Sequence, residues 1–245
     1  MTMTMPTDVG VGDDRALPEF IAHADWGTNP RKRQVAVSER QDDGRYVIID
    51  LAAAVTDSVE RGDLRGALRV PSSGGRLLAG FDFPIGLPHA YAERIGVSSF
   101  PEFLPQIGSA PFEEFATVAT TSSQISLYRP FYPYRPGGTQ RAHLYNGLGL
   151  TAEQLRRRCE ARDAETMFWT LGGKQVGKAA IAGWRLLAAT GETIRYWPFH
   201  GTLTSLLGTG DAVVVTETYP REFYRRINGG VIASGRGAKL GRQIA

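Results

Sequence analysis

The sequence predicts an α/β fold built on one mixed β-sheet, with its strands in the order 3-2-1-4-5. Three β-type runs follow one another at the start of the chain, which indicates an antiparallel meander. Two more β-type runs come later, each after helical sequence, and right-handed crossovers would make these strands parallel to the first. The 245 residues, 42% of them hydrophobic, suffice for one sizeable core.

The first half of the chain supplies four of these strands. "FIAHADWG" alternates so that Ile21, His23 and Asp25 share one face, and "RQVAVSE" and "GRYVIIDLA" are joined by the turn-forming "RQDDG". "AAAVTDSVERGDLRGAL" then has a helical pattern. "RLLAGFDFPIGLP" is typical of a buried strand that runs into a loop bounded by proline and glycine.

A long, mainly helical insertion is predicted between strands 4 and 5, at about residues 89–200. Its helical patterns are "PEFLPQI", "TAEQLRRRCEARDAETMFWTL" and "AAIAGWRLLAA", with the aromatic "LYRPFYPYRPGG" in the middle. We expect it to cover one side of the sheet. After it, "AVVVTE" is a β-branched strand and "YPREFYRRI" a helix opened by Pro220.

Composition predicts a flexible leader at residues 1–18, followed by a single domain over residues 19–245. No apolar run approaches the roughly 20 residues of a membrane-spanning helix, and the start lacks the pattern of a signal peptide, so we expect no membrane partner and a cytoplasmic location. Cys159 is the only cysteine, which excludes an intrachain disulfide. The net charge of +3, with short basic runs, permits a polyanionic partner without requiring one.

This order of elements is the skeleton of the ribonuclease H-like fold, and it places three acids at the ends of neighbouring strands. Asp25 ends strand 1, Asp82 follows strand 4 and Glu217 ends strand 5. Three converging carboxylates repel one another unless a divalent cation compensates their charge, and Mg²⁺ or Mn²⁺ prefers such oxygen ligands. The pattern therefore predicts a metal-dependent phosphodiester hydrolase with these three residues as catalytic and metal-binding groups.

Each acid also has a local alternative. Asp82 can cap the loop that follows it, Glu217 can complement the dipole of the next helix, and Asp25 can hold the turn at "DWGTNP". The shared position of all three at strand ends favours the functional interpretation.

Four separated motifs carry a family resemblance. "HADWGTN", "GFDFPIGLP", "FWTLGGKQVGK" with "GWRLL", and "ETYPREFY" resemble the motifs of a bacterial family known as DUF429. The similarity covers nearly the whole chain after the leader. It implies a ribonuclease H-like nuclease, and nucleic acid as a possible partner. Such sites take a further acid from the last helix, where this chain offers Glu222.

The glycine-rich stretch Gly172 to Lys178 is one hydroxyl short of a P-loop, because Ala179 stands where a Ser or Thr would bind Mg²⁺. We interpret it instead as a turn between two helices. Lys174, Gln175 and Lys178 would then bind a substrate phosphate, from a nucleic acid or a phosphorylated small molecule. The alternative is a helix cap with solvent-facing lysines.

Other candidates carry less weight. His23 can orient Asp25, and His200 is a weaker candidate acid or base. The residues of the aromatic segment can stack bases or pack the insertion; they are Tyr128, Arg129, Phe131, Tyr132, Tyr134 and Arg135. Two other functions stay open, namely an actin-like phosphotransferase or nucleotide hydrolase, and a non-catalytic nucleic-acid or ligand-binding protein.

Overall fold

The protein is described by a computed structural model, which covers residues 17–72, 74–160, 164–172, 176–208 and 210–219. Its centre is a mixed sheet of six strands in the order β3-β2-β1-β4-β6-β5. The strands are β1 (Phe20–Asp25), β2 (Gln34–Arg40), β3 (Tyr46–Ala53), β4 (Leu77–Phe81), β5 (Ile194–Tyr196) and β6 (Val213–Glu217). The predicted α/β class is confirmed.

The first three strands form the expected antiparallel meander. β1 pairs with β2 from Phe20↔Glu39 to Asp25↔Gln34, and β2 pairs with β3 through a register shift after Val37. In β1, alternate residues are buried, since Phe20, Ala22 and Ala24 face the core.

The other half of the sheet is parallel. β4 pairs in parallel with β1, β6 with β4, and β5 with β6. The last strand lies beside β4, as predicted, but the order 3-2-1-4-5 omits one strand. β5 lies inside the segment predicted as a helical insertion and forms the edge of the sheet beyond β6. It has only three residues, too few for an alternating pattern to appear in the sequence.

Seven α-helices lie within the described ranges: α1 (Thr56–Glu60), α2 (Leu64–Ala67), α3 (His89–Arg94), α4 (Phe100–Phe103), α5 (Arg141–Leu148), α6 (Val176–Ala189) and α7 (Leu203–Leu207). The helical pattern at "AAIAGWRLLAA" is confirmed as part of α6, and that at "PEFLPQI" is confirmed in part, since α4 ends at Phe103 and a 3-10 turn follows over Leu104–Gln106. None of the helices in these ranges combines the length and apolar character required to cross a bilayer. The helix predicted to begin at Pro220 lies outside the described residues.

The predicted helix over residues 151–171 is wrong for the described part of that segment, which consists of turns and irregular backbone. Leu155 and Phe168 are fully buried in the core, and the charged side chain of Arg157 is only 5% exposed. Tertiary contacts therefore override a helical propensity that is worth only tenths of a kcal/mol per residue.

The insertion covers one face of the sheet, as expected. Its aromatic side chains share a single core with β1, β4 and β6, and the ring of Phe115 stacks on Trp184 with 6.1 Å between centroids. The opposite face carries a smaller cluster, in which Leu206 and Leu207 of α7 pack with Val214 of β6. The sheet is thus covered deeply on one face and locally on the other.

Helix α6 fixes the loop that follows β4. The indole nitrogen of Trp184 donates to the carbonyl oxygen of Pro84 at 2.7 Å. One residue earlier, Gly183 lies so close to Phe83 that an added Cβ would stand 2.3 Å from the ring. The lack of a side chain at Gly183 therefore sets the position of the loop immediately after Asp82.

We expect Gly183→Ala to lower the free energy of unfolding by about 1–3 kcal/mol, because the buried Phe83 ring must move, although alanine favours the helix. Gly191→Ala is the matched control, since nothing lies within 4 Å of a Cβ at that position. Urea unfolding of the two variants measures the difference. Equal stability would contradict the close packing of α6 on this loop.

Candidate functional site

The carboxyl ends of four parallel strands meet at one edge of the sheet, which we call the carboxyl edge. β1, β4, β6 and β5 all end there. Asp25 is the last residue of β1, Asp82 follows β4 directly, and Glu217 is the last residue of β6. Functional groups of open α/β sheets collect at this edge.

Asp25 and Asp82 form a pair there. Ala24 pairs with Phe81, and the Asp82 amide donates to Ala24 O at 3.2 Å, so the two aspartates occupy adjacent positions on one face. The Trp26 amide donates to Asp82 Oδ1 at 2.7 Å. Burial raises the pKa of Asp82 to about 7, and repulsion from Asp25 and a hydrogen bond with it act in the same direction, against the Trp26 amide. Charge on both carboxylates is therefore costly in this protein.

Glu217 is directed to the other face. It pairs with Phe81, and successive side chains of a strand alternate between faces, so Glu217 shares the Phe81 face and not that of Asp82. There, Glu217 Oε2 accepts from the Ile85 amide at 2.9 Å, and Oε1 accepts from Arg157 Nη2 at 2.8 Å. A second Arg157 nitrogen, Nη1, donates to Oε2, which makes the ion pair bidentate.

Arg157 also binds a second acid. Its Nε donates to Glu160 Oε1 at 2.8 Å, and the side chains of Arg157 and Glu160 are only 5% and 6% exposed. Burial alone would lower the pKa of Arg157, but the hydrogen bonds and attraction from Glu217 raise it, so the guanidinium stays charged. The result is a buried arginine held between two glutamates, which we call the Arg157 triad.

The predicted convergence of three acids is therefore corrected to a pair. The structure brings Asp25 and Asp82 together and engages Glu217 with Arg157 on the opposite face. Among the described residues, no group of three or more His, Cys, Asp or Glu side chains is arranged to hold a metal ion. Glu222, the suggested further acid, lies outside the described ranges.

Two residues beside the pair extend the site. His23 Nε2 and Thr218 Oγ1 lie 2.9 Å apart in a hydrogen bond between β1 and the end of β6. Gly80 stands between them, and a Cβ there would lie 2.4 Å from the Thr218 methyl group. Burial lowers the pKa of His23, while Asp25 acts in the opposite direction. Sequence reasoning missed Thr218; a glycine in the strand between a histidine and a threonine was its only signal.

Only part of the predicted phosphate site lies within the described residues. Lys174 and Gln175 lie outside the described residues, while Lys178 lies in the first turn of α6. The amide of Gly177 donates to Trp169 O at 3.1 Å, and a Cβ on Gly177 would meet Met167 O at 2.8 Å. Gly177 thus allows the start of α6 to pack closely on the segment before it. Its amide already donates to Trp169 O and is not available to a phosphate.

The remaining candidates are placed as follows. His200 Nδ1 accepts from the Tyr196 amide at 3.2 Å and closes the turn after β5. Phe131 and Tyr132 are 0% and 3% exposed, so these two rings pack the insertion and cannot stack bases. Tyr128 and Tyr134 are exposed.

A scan against protein-family models, a search of curated proteins and a search of solved structures found no match to this chain. The resemblance to the DUF429 family therefore rests on the four sequence motifs alone and stays a prediction.

The raised pKa of Asp82 predicts a pH-dependent stability difference in chelator. Folding favours the protonated carboxyl, so this group's contribution is full below its ordinary pKa of 3.8 and is lost as pH rises toward 7. Asp82→Asn keeps an acceptor for the Trp26 amide but has no charge. We expect its melting temperature to exceed that of the wild type above about pH 7, and the advantage to shrink toward about pH 4.

The exposed Asp42→Asn is the control, and it should follow the wild type at every pH. Calorimetric melting curves across this range make the comparison. An Asp82→Asn protein that is less stable than the wild type at pH 8 would identify Asp82 as a structural cap.

The Arg157 triad predicts the opposite sign for Glu217. Glu217→Gln leaves a buried guanidinium with one charged partner, and we expect a loss of about 3 kcal/mol or more in unfolding free energy. Glu114→Gln is the control, because Glu114 also pairs with an arginine, Arg129, at 3.1 Å, but its side chain is 62% exposed. It should cost less than about 1 kcal/mol. If Glu217→Gln stabilised the protein in chelator, this prediction would be wrong, and Glu217 would be one of the carboxylates that repel one another.

Proposed function

We propose that this chain is a divalent-cation-dependent phosphodiester hydrolase with a ribonuclease H-like fold, and that Asp25 and Asp82 bind Mg²⁺ or Mn²⁺. The observation that carries the proposal is the aspartate pair at the carboxyl edge. The strand order around it, a meander followed by three parallel strands on the far side of β1, supports the fold assignment.

The pair suits a hard divalent cation for an electrostatic reason. Two carboxylates in adjacent positions, one of them partly buried, resist being ionised together, as the pKa of about 7 for Asp82 indicates. A divalent cation removes that penalty and prefers carboxylate oxygens as ligands. Two protein carboxylates are also a normal complement for Mg²⁺, which keeps several waters and takes further oxygens from substrate phosphates.

The cation, when bound, would supply Lewis acidity toward a phosphoryl oxygen and toward a bound water. The chain's own residues position the carboxylates. The Trp26 amide fixes Asp82 Oδ1, and Asp25 projects from the end of β1 on the same face. The His23 and Thr218 side chains, joined by a hydrogen bond of 2.9 Å, lie beside the pair, and this contact fixes the orientation of the His23 ring.

The proposal includes phosphate binding by Lys174, Gln175 and Lys178. Of these three residues, the structure describes Lys178. Lys178 is in the first turn of α6, the helix that also fixes the loop after Asp82 through Trp184. The Lys178 ammonium group and the Trp184 side chain that holds this loop therefore belong to the same helix. This arrangement supports a role in holding a substrate phosphate.

The test is binding of the cation itself. Titration calorimetry of Mn²⁺ and Mg²⁺ into the wild type at pH 7.5 should give saturable heat, and Asp25→Asn and Asp82→Asn should each weaken binding about tenfold or more. Manganese-dependent cleavage of a fluorescent oligonucleotide and of bis(4-nitrophenyl) phosphate should fall in parallel. Asp42→Asn is the control for charge removal at an exposed site.

Two outcomes would contradict the proposal in different ways. Equal or absent heats in the wild type and Asp82→Asn would support a non-catalytic binding protein. Cation binding with hydrolysis of ATP, but of neither phosphodiester, would support the actin-like phosphotransferase or nucleotide hydrolase.

A further inference from the structure

A cleft lies on the face of the sheet opposite to that of the aspartate pair. We call it the arginine cleft, because three arginines line it: Arg61, Arg65 and Arg69. Its volume of about 840 Å³ is in the range of small-molecule sites. Asp50, also part of its lining, pairs with Val37, and Val37 pairs with Ala22. Asp50 therefore shares the core face of Ala22, which is opposite to the face of Asp25.

The two outer arginines of the cleft are exposed and have unused hydrogen-bond donors. Among the described residues, the Arg61 side chain makes one hydrogen bond, from Nη2 to Ser58 Oγ at 3.3 Å. The Arg69 side chain also makes one, from Nε to Asp50 Oδ2 at 2.6 Å. Within that part of the chain, both Nη groups of Arg69 are left without an acceptor. A planar guanidinium with two such donors matches the spacing of phosphate oxygens.

Arg65, between them in sequence, has an unsatisfied donor inside the protein. Its Nη2 donates to the carbonyl oxygens of Gly75 and Asp211, and its Nε lies 3.5 Å from Glu192 Oε2. Its Nη1 is enclosed and has no hydrogen-bond partner in the described ranges. A buried, charged donor without a partner is costly, so negative charge brought into the cleft would offset a cost of the folded state.

The backbone of Arg69 is an independent sign of function. Leu68 caps α2, so Arg69 occupies the next position, where helices commonly use glycine in the left-handed conformation. Arg69 has a φ of 60°, and it is the one residue other than glycine with a positive φ in the described part of the chain. Glycine would adopt this conformation without strain but would leave the cleft without its third guanidinium.

The acids that line the cleft each have a local partner. Asp63 caps α2 by accepting a backbone amide at 2.8 Å, and Glu192 accepts the Arg65 amide at 2.9 Å. Asp50 binds one nitrogen of Arg69 and is the acid that competes directly with a ligand for that guanidinium. A dianion offers this group more charge and more acceptor oxygens than Asp50 does.

We propose that the arginine cleft binds a phosphate monoester, with Arg61 and Arg69 contacting the phosphate and the charge of Arg65 attracting it. Val55 and Pro71 give the cleft apolar walls, which suit the organic part of an ester. The inference is independent of the proposed function, because this site uses neither aspartate of the pair and lies on the other face of the sheet.

Titration calorimetry without divalent cations at pH 8, where a phosphate monoester is a dianion, tests the proposal. Phenyl phosphate should bind saturably, and more tightly than inorganic phosphate because of the apolar walls. Arg61→Gln and Arg69→Gly should each weaken its binding about tenfold. Arg45→Gln is the matched control, because Arg45 pairs with Asp43 at 2.6 Å, the same distance as Arg69 and Asp50, but lies outside the cleft.

Two readouts separate binding from folding. Arg69→Gly relieves the left-handed backbone, so its melting temperature should stay close to that of the wild type although its binding is weaker. Asp50→Asn removes the competing acid and should bind phenyl phosphate about threefold more tightly than the wild type. A purely structural role of the ion pair between Arg69 and Asp50 predicts no gain in binding.

Absence of saturable binding to the wild type, an equal loss in Arg45→Gln, or no gain in Asp50→Asn would contradict the site. Equal affinity for phenyl phosphate and inorganic phosphate would overturn the monoester and identify a free phosphate ion as the ligand. An equal loss in Asp82→Asn would assign the phosphate to the aspartate pair instead. None of these results decides the proposed function, which depends on cation binding and hydrolysis at Asp25 and Asp82.

Discussion

The bidentate contact between Arg157 and Glu217 is the constraint on which the arrangement of this chain depends. It joins the irregular segment after α5 to the end of β6, and Glu217 also accepts the amide of Ile85 from the loop after β4. Three segments that are far apart in sequence meet at one carboxylate. Arg157 is almost completely buried. A buried guanidinium without its acids would be far more costly than an apolar side chain, so the folded protein depends on this contact. This cost favours the arrangement in which the insertion is seated on the sheet.

The pleat of the sheet decides which acids can act together. Asp82 and Glu217 are both at the ends of parallel strands, yet Phe81 pairs with Glu217, so Asp82 is one residue further along and on the opposite face. One acid therefore joins Asp25, and the other joins Arg157. Their environments are opposite in kind, because Asp82 is next to a like charge whereas Glu217 is next to a compensating one.

The sequence predicted those parts of the fold that depend on local pattern. The meander, β4, β6, α6 and the position of Asp25 beside Asp82 follow from alternation, apolar runs and the rule that parallel strands end at one edge. The parts that could not be predicted depend on distant partners. The segment around Arg157 has a helical pattern, but its backbone is irregular because Arg157 forms an ion pair with Glu217, 60 positions away. Thr218 joined the site through a contact with His23 that spans 195 positions. The face taken by Glu217 required the exact register, which no single-sequence pattern supplies.

The aspartate pair and the Arg157 triad contribute to the protein in opposite ways, and this contrast bears on what the carboxyl edge is for. A residue kept for stability should have its charge compensated within the fold, as Glu217 does. Asp25 and Asp82 are not compensated by any described side chain near them, and the contacts that favour the ionised Asp82 come from backbone amides, chiefly that of Trp26. Folding alone would be served better by an amide at position 82, which could accept that same bond without repulsion. An uncompensated acid pair, placed where parallel strands end, therefore has its best physical explanation in a ligand that carries the missing positive charge.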